Sequence, residues 1–268
     1  MNEDEAKELI AQQEISAKLL IRRDIELTRA NEQLRSLDKM KTDFISVATH
    51  QLRTPLSAIR WTLSMILKED IGPLTIEQRT LLMKAYESNN RMVKLLADIL
   101  LSDHIESNGL KLTNEKTDIL SLVENIFLEL VPLANQRGVR LIFNHPDATY
   151  PMLQIDPVHM RAVLQNLLEN AMKYSRVEGV ATLTVYAEGP MLRITIQDSG
   201  IGIPLREQQT IFKRFFRATN AIRVETDGSG LGLYIVKNII EKNYGTISFE
   251  STENQSTTFT VLLPIAKT

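Results

Sequence analysis

Asp198-Ser199-Gly200-Ile201-Gly202-Ile203-Pro204, DSGIGIP, follows directly on a run that alternates as a strand. Gly228-Ser229-Gly230-Leu231-Gly232-Leu233, GSGLGL, opens a helical run. Glycines let a backbone come close to a ligand, and glycine-rich backbone feeding a helix N-terminus makes a cradle for phosphate. The Asp198 carboxylate can accept from an exocyclic amine. One such motif is more often a turn than a site. Two of them, bracketing the basic and aromatic loop Phe212-Lys213-Arg214-Phe215-Phe216-Arg217, are much harder to dismiss. GSGLGL lacks the Gly-Lys-Ser/Thr ending of a P-loop, and no strand runs straight into Gly228 as a dinucleotide fingerprint requires.

The runs on either side set the fold class. Hydrophobic periodicity predicts helices near 119–136, 157–174 and 230–243. It predicts strands near 139–144, 180–187, 191–197, 246–251 and 257–263. Adjacent strands beside separate helices point to an α+β layer rather than a doubly wound parallel sheet. In the helix near 157–174, Asn166 and Asn170 stand four apart and share one face. Asparagines on a helix are most often surface or capping residues. Here their amide oxygens are hard ligands suited to Mg²⁺, and Lys173 lies close by for a phosphate.

The first part of the chain has a different texture. Residues 1 to about 69 contain no glycine and a single proline, Pro55, so they read as one long helix. Leu20, Leu27 and Leu34 are seven apart, with Ala30, Leu37 and Phe44 as the second seam of a coiled coil. Lys41 interrupts the first seam and the stripe slips to Met40 and Val47. The bland alternative is one exposed helix with scattered leucines. Asp70-Ile71-Gly72-Pro73-Leu74-Thr75 is a turn with Thr75 as N-cap. A second helix follows, with Leu81, Leu82, Ala85, Met92, Leu95, Leu96, Ile99 and Leu100 on its apolar face, and Ser107-Asn108-Gly109 ends it. Helices joined by a short turn pack antiparallel. One hairpin cannot bury both apolar faces, so dimerisation into a four-helix bundle is expected.

Inside the first helix lies Ala48-Thr49-His50-Gln51-Leu52-Arg53-Thr54-Pro55-Leu56. Pro55 removes a backbone hydrogen bond and clashes with the carbonyl of Gln51, next to the only histidine in the first hundred residues. Ile45, Leu52, Leu56, Ile59, Leu63 and Ile66 form a narrow apolar stripe, and His50 lies roughly 160° from its centre. A lone histidine is usually a satisfied core residue. A histidine opposite the stripe is instead free to act as a nucleophile. Trp61, eleven residues on, shares that face, either as an anchor for a docking protein or as part of a dimer core.

Composition narrows the classes. At 43% apolar and 24% charged, the chain is that of a folded protein. A net charge of −2 gives no global reason to expect nucleic acid as a partner. The absence of cysteine excludes disulfides and thiolate metal sites. The acidic start MNEDEAKELI has no signal-peptide apolar core, and no run reaches the roughly 20 apolar residues of a spanning helix.

Taken in order, the motifs resemble the catalytic core of a class I sensor histidine kinase, the autophosphorylating half of a two-component system. His50 to Leu56 is similar to the family's H box, Asn166 to Tyr174 to the N box, and Asp198 to Pro204 to the G1 box. Phe212 to Phe216 is similar to the F box and Gly228 to Leu233 to the G2 box. The resemblance covers roughly residues 39 to 264. It implies an α+β multidomain chain: a signalling coiled-coil helix (1–38), a dimeric phosphotransfer hairpin (39–109), and an α/β sandwich ATP-binding domain of the gyrase type (110–268). By this resemblance His50 accepts the γ-phosphate of ATP and hands it to an aspartate of a response regulator receiver domain. Mg²⁺ is held by Asn166 and Asn170, Lys173 meets a phosphate, Tyr174 lies against the adenine, and Asp198 binds its amine. Gly200, Gly202, Arg217, Gly228, Gly230, Leu231 and Gly232 complete the nucleotide-binding set, and Leu205 to Asp227 is a mobile lid. Thr54 sits where such enzymes orient water to dephosphorylate their partner. The turn weakened by Pro55 lets the upper helix bend and re-aim His50. The resemblance also implies a homodimer in the cytoplasm, either free or as the cytoplasmic part of a membrane-anchored sensor whose sensing domain precedes Met1.

Two departures stand out. The family usually carries Glu or Asp after the histidine, as a base; Gln51 cannot accept a proton at neutral pH. The tail has Tyr244-Gly245 and Asn254-Gln255-Ser256 in place of the common glycine pair. The rival readings are an ATPase clamp on the same nucleotide fold, which needs no histidine box, and a non-catalytic dimeric scaffold, which only Gln51 supports.

Overall fold

The computed structural model describes residues 3–107, 109–145 and 152–265. Met1 and Asn108, named above at the chain start and at the end of the second helix, lie outside them. The chain forms two compact units that divide between Asn89 and Asn90.

In the first unit, helix α1 (Glu3–Leu67) runs through Pro55 without a break, and helix α2 (Ile76–Glu106) begins after the expected turn. Thr75 caps α2 reciprocally with Gln78: the Gln78 N–H donates to Thr75 Oγ1 at 3.2 Å, and the Thr75 N–H donates to Gln78 Oε1 at 2.9 Å. This capping box satisfies two amide groups that helix geometry leaves without a partner. Near the proline, Asn89 Nδ2 from α2 donates to the Leu56 carbonyl at 3.0 Å, bracing the turn that Pro55 weakens. Ile45, Leu56, Leu63 and Ile66 of the expected stripe are half-buried, whereas Leu52 and Ile59 stay exposed. The hairpin alone covers only part of its apolar face. Leu20, Leu27 and Leu34 are about two-thirds exposed, so this part of the coiled-coil seam has no partner among the described residues.

The second unit holds the rest of α2 and an α/β layer. Its elements are β1 (Glu115–Thr117), α3 (Ile119–Gln136), β2 (Arg140–Asn144), β3 (Leu153–Ile155), α4 (Pro157–Tyr174), β4 (Val180–Glu188), β5 (Met191–Asp198), a 3-10 turn (Leu205–Thr210), α5 (Thr219–Val224), α6 (Gly232–Lys242), β6 (Thr246–Thr252) and β7 (Ser256–Pro264). Five strands form one sheet in the order β2-β4-β5-β7-β6, with β2 parallel to β4 and the remaining pairs antiparallel. On β4, β5 and β7 every second side chain is buried: Ala181, Leu183 and Val185; Leu192, Ile194 and Ile196; Phe259, Val261 and Leu263. That face meets α3, α4 and α6, while the intervening threonines, Arg193 and Gln197 leave the other face to water. The helix starts are set locally. Asp118 accepts from the amides of Leu120 and Ser121, and Asp156 accepts from those of Val158 and His159 with Pro157 as the first helical residue.

The predicted α+β layer is the architecture found. Short strands β1 and β3 were not expected; they pair antiparallel with each other, Glu115 opposite Ile155. Three-residue strands carry too little pattern to be read from sequence.

Candidate nucleotide site

The end of α4, the loop after β5 and the start of α6 meet around a group of polar side chains. One turn of helix separates Asn166 from Asn170, both half-buried, and neither carboxamide has a hydrogen-bond partner among the described residues. Opposite them α6 begins with no side-chain cap, so its first N–H groups and the positive end of its dipole are open to an anion. The approach is close: a Cβ on Gly232 would stand 2.4 Å from Asn166 Oδ1. Gly230, at φ 68°, is held against the backbone of Phe215 and Phe216, a conformation glycine adopts without strain.

Asp198 is the last residue of β5 and only 5% exposed. Burial pushes its carboxyl up to about 7, against the opposing pull of the Thr257 and Gly200 amides. Its Oδ1 is buried with no hydrogen-bond partner in the chain. A buried acceptor left open is costly, and a donor such as an exocyclic amine would satisfy it. The glycines beside it are needed by geometry. A Cβ on Gly200 would lie 2.2 Å from the Tyr174 carbonyl, and one on Gly202 would lie 2.1 Å from the Thr252 carbonyl. The Ile201 N–H donates to the Tyr174 carbonyl at 3.1 Å, which fixes the glycine loop to the end of α4.

Lys173 and Arg217 are engaged by the segment just before GSGLGL. Lys173 Nζ donates to the Asp227 carbonyl at 2.8 Å and lies 3.8 Å from the Glu225 carboxylate. Burial lowers the Lys173 pKa, and the Glu225 charge opposes the shift. The Arg217 guanidinium donates to the carbonyls of Glu225, Thr226 at 2.8 Å and Gly228 at 3.3 Å. Burial raises the Tyr174 hydroxyl, with Arg217 acting the other way. The segment expected as the lid, 205–227, contains a 3-10 turn and α5, and its last residues contact two cationic side chains. Arg91 of α2 adds an ion pair to Asp227 at 3.0 Å, and Lys94 reaches Glu169 at 2.5 Å. Neither Arg91 nor the acidic pair Glu225 and Asp227 was expected from sequence. The signal was present in Glu225-Thr226-Asp227, two carboxylates directly ahead of a phosphate-cradle motif.

In the first unit, His50, Gln51, Thr54 and Trp61 are all exposed, while Thr49 is buried. The imidazole thus lies where the helical arithmetic put it, away from the apolar stripe.

Residues 40–108 match the His Kinase A (phospho-acceptor) domain, and residues 155–267 match the histidine kinase-, DNA gyrase B-, and HSP90-like ATPase domain. The chain belongs to the histidine kinases. It is the catalytic core of a class I sensor kinase, with a helical phosphoacceptor region ahead of an α/β ATPase fold. This kinase core is 31% identical over 246 residues to the circadian input-output histidine kinase CikA of Synechococcus elongatus, covering 91% of the chain and 33% of CikA. It is 30% identical over 235 residues to the sensor histidine kinase WalK of Bacillus subtilis, covering 85% of the chain and 37% of WalK. The chain spans about a third of the length of these curated relatives. Among solved structures, full-length ShkA in complex with AMPPNP aligns with a TM-score of 0.67 and 26% identity over 84% of the chain and 46% of ShkA.

Proposed function

We propose that this core binds Mg-ATP in the α4, β5 and α6 site and phosphorylates His50, from which the phosphoryl group passes to an aspartate of a response regulator. One observation carries the reading. A single chain holds an exposed histidine in a phosphoacceptor hairpin and, later in the sequence, a nucleotide site with an open buried acceptor and an uncapped helix start. The roles follow from the donors available. Asp198 accepts from the adenine amine, with Tyr174 against the ring. Asn166 and Asn170 present amide oxygens to Mg²⁺, a hard cation that neutralises phosphate charge when bound. Lys173 and Arg217 exchange their lid carbonyls for phosphate oxygens. Gly200, Gly202, Gly228, Gly230, Leu231 and Gly232 bring backbone close to the nucleotide.

The lone pair of neutral His50 attacks the γ-phosphorus, the bond from that phosphorus to the bridging oxygen breaks, and ADP leaves. The imidazole proton passes to water, since Gln51 can orient the ring but cannot take the proton. The exposed Leu20, Leu27, Leu34, Leu52, Ile59 and Leu81 support a homodimer sealed along both helices. Thr54, one turn beyond His50, is suited to orient a water for dephosphorylation of the regulator, and exposed Trp61 to anchor it. No helix of the described residues is long and apolar enough to cross a membrane.

Incubation with γ-labelled ATP tests the reading. Acid-labile label that disappears in His50→Ala, with ATP binding retained, is expected. Released phosphate without protein label would favour an ATPase clamp, and neither product would favour a scaffold. Acid-labile label persisting in His50→Ala would refute the assignment of His50.

A further inference from the structure

The segment between the two glycine motifs divides into a root held by several side chains and a separate tip, and Asn220 is the α5 side chain that reaches the adenine loop. From the side of the β6–β7 turn, the Asn254 N–H donates to the Ile201 carbonyl at 2.7 Å and Ser251 Oγ accepts from the Ile203 N–H at 2.8 Å. Gln208 Nε2 ties the 3-10 turn to the carbonyls of Ile203 and Ser251, both at 3.1 Å. From the other side, Asn220 on α5 donates Nδ2 to the Gly202 carbonyl at 2.8 Å and to the Ile201 carbonyl at 3.3 Å. The start of α5 is held as well: Glu207 accepts from the Thr219 N–H and from Thr219 Oγ1, each at 2.9 Å. Beyond Val224 the bonding changes. Residues 225–228 are held chiefly by side-chain cations, Lys173, Arg217 and Arg91, of which the first two are assigned above to ATP phosphates.

We propose that Asn220 is a positioning residue that fixes α5 onto the adenine loop, so that lid movement is confined to residues 225–228 and ATP affinity depends on this bond. The proposal rests on the nucleotide-site reading given above. Asn220 does not touch the reacting atoms. It holds the carbonyls of Ile201 and Gly202 so that the loop beside Asp198 keeps its shape before the nucleotide arrives, and a preordered loop loses less conformational freedom on binding. A residue with a side chain could not take the place of Gly202 in this loop, since φ is 61° and a Cβ would lie 2.1 Å from the Thr252 carbonyl.

Two variants test this. Asn220→Ala removes the donor, and Asn220→Asp keeps the shape but sets a carboxylate against two carbonyls. Each should weaken ATP binding roughly threefold to tenfold by calorimetry, the size expected for loss of the shorter of the two amide-to-carbonyl hydrogen bonds, to Gly202. Each should raise the KM for ATP by a similar factor and leave the phosphorylation rate at saturating ATP unchanged. Amide hydrogen exchange without nucleotide gives an independent readout: residues 218–224 should exchange at least tenfold faster in both variants, with β5 and β7 unaffected. Wild-type affinity and wild-type exchange in Asn220→Asp would overturn the proposal. A uniform rise in exchange across the sheet would also overturn it, since that marks a general structural role. If the unmodified chain fails to bind ATP while the exchange result holds, the nucleotide reading falls and the tie between lid and loop stands.

Discussion

Replacing Asp198 with asparagine should stabilise the folded chain above pH 7 while removing most of its affinity for ATP. In the native protein the carboxyl is buried at the end of β5 and titrates at about 7, against an ordinary value of 3.8. The folded state therefore keeps a proton that the unfolded chain surrenders. Stability is fully present below about pH 4 and is lost as the pH rises through about 7. The gap corresponds to about 4 kcal/mol at most, at 1.36 kcal/mol per pH unit, and partial relaxation around the charge should reduce it to about 2–3 kcal/mol. Asparagine fills the same volume and never ionises, so the variant should match the native protein at about pH 4 and below, and exceed it by that amount at pH 8. The gain has a functional cost. A carboxylate accepting from the adenine amine is a charge-assisted bond, and its loss should weaken ATP binding roughly tenfold to a hundredfold. Urea denaturation of both proteins at pH 4, 5, 6, 7 and 8, with calorimetry against ATP at pH 8, is the assay. Asp98, half-buried on α2 and raised to about 6 by burial, tilts both curves alike and cancels in the difference. A stability difference that does not change between pH 5 and pH 8 would refute the reasoning. So would an asparagine variant that binds ATP as tightly as the native chain.

Two other substitutions probe the chemistry. Gln51→Glu should speed His50 labelling at pH 7 with ATP affinity unchanged, because a positioned base contributes up to roughly 10²–10⁴-fold; single-turnover labelling at saturating ATP measures it, and a slower glutamate variant would rule the idea out. Gly232→Ala places a Cβ 2.4 Å from Asn166 Oδ1, so the carboxamide must swing away; Mg-dependent nucleotide binding should weaken at least tenfold in a titration of Mg²⁺ at fixed ATP, with urea stability lowered by about 1–3 kcal/mol.

Much of this protein is written locally. The 3.6-residue period of the long helices, the two-residue alternation of β4, β5 and β7, and the caps at Thr75, Asp118 and Asp156 each depend on neighbours within a turn or a pleat. That is why α1, α2, the main strands and the exposure of His50 are legible in the sequence alone. The glycine motifs were legible for the same reason, since a glycine requirement at Gly202 or Gly230 leaves its mark in the sequence itself. Other features depend on residues far apart in the chain. The pairing of β1 with β3, the bond from Asn220 to the Gly202 carbonyl, the grip of Lys173 on Asp227 and the pairing of Lys94 with Glu169 join segments 18 to 75 residues apart. Asp198 shows both sides of the division. Its place after a strand and before a glycine loop could be read from its neighbours, but the burial that holds its proton to about pH 7 arises only when β7 and the end of α4 close around it. Desolvation depends on everything within reach of a side chain, and that neighbourhood is created by tertiary folding.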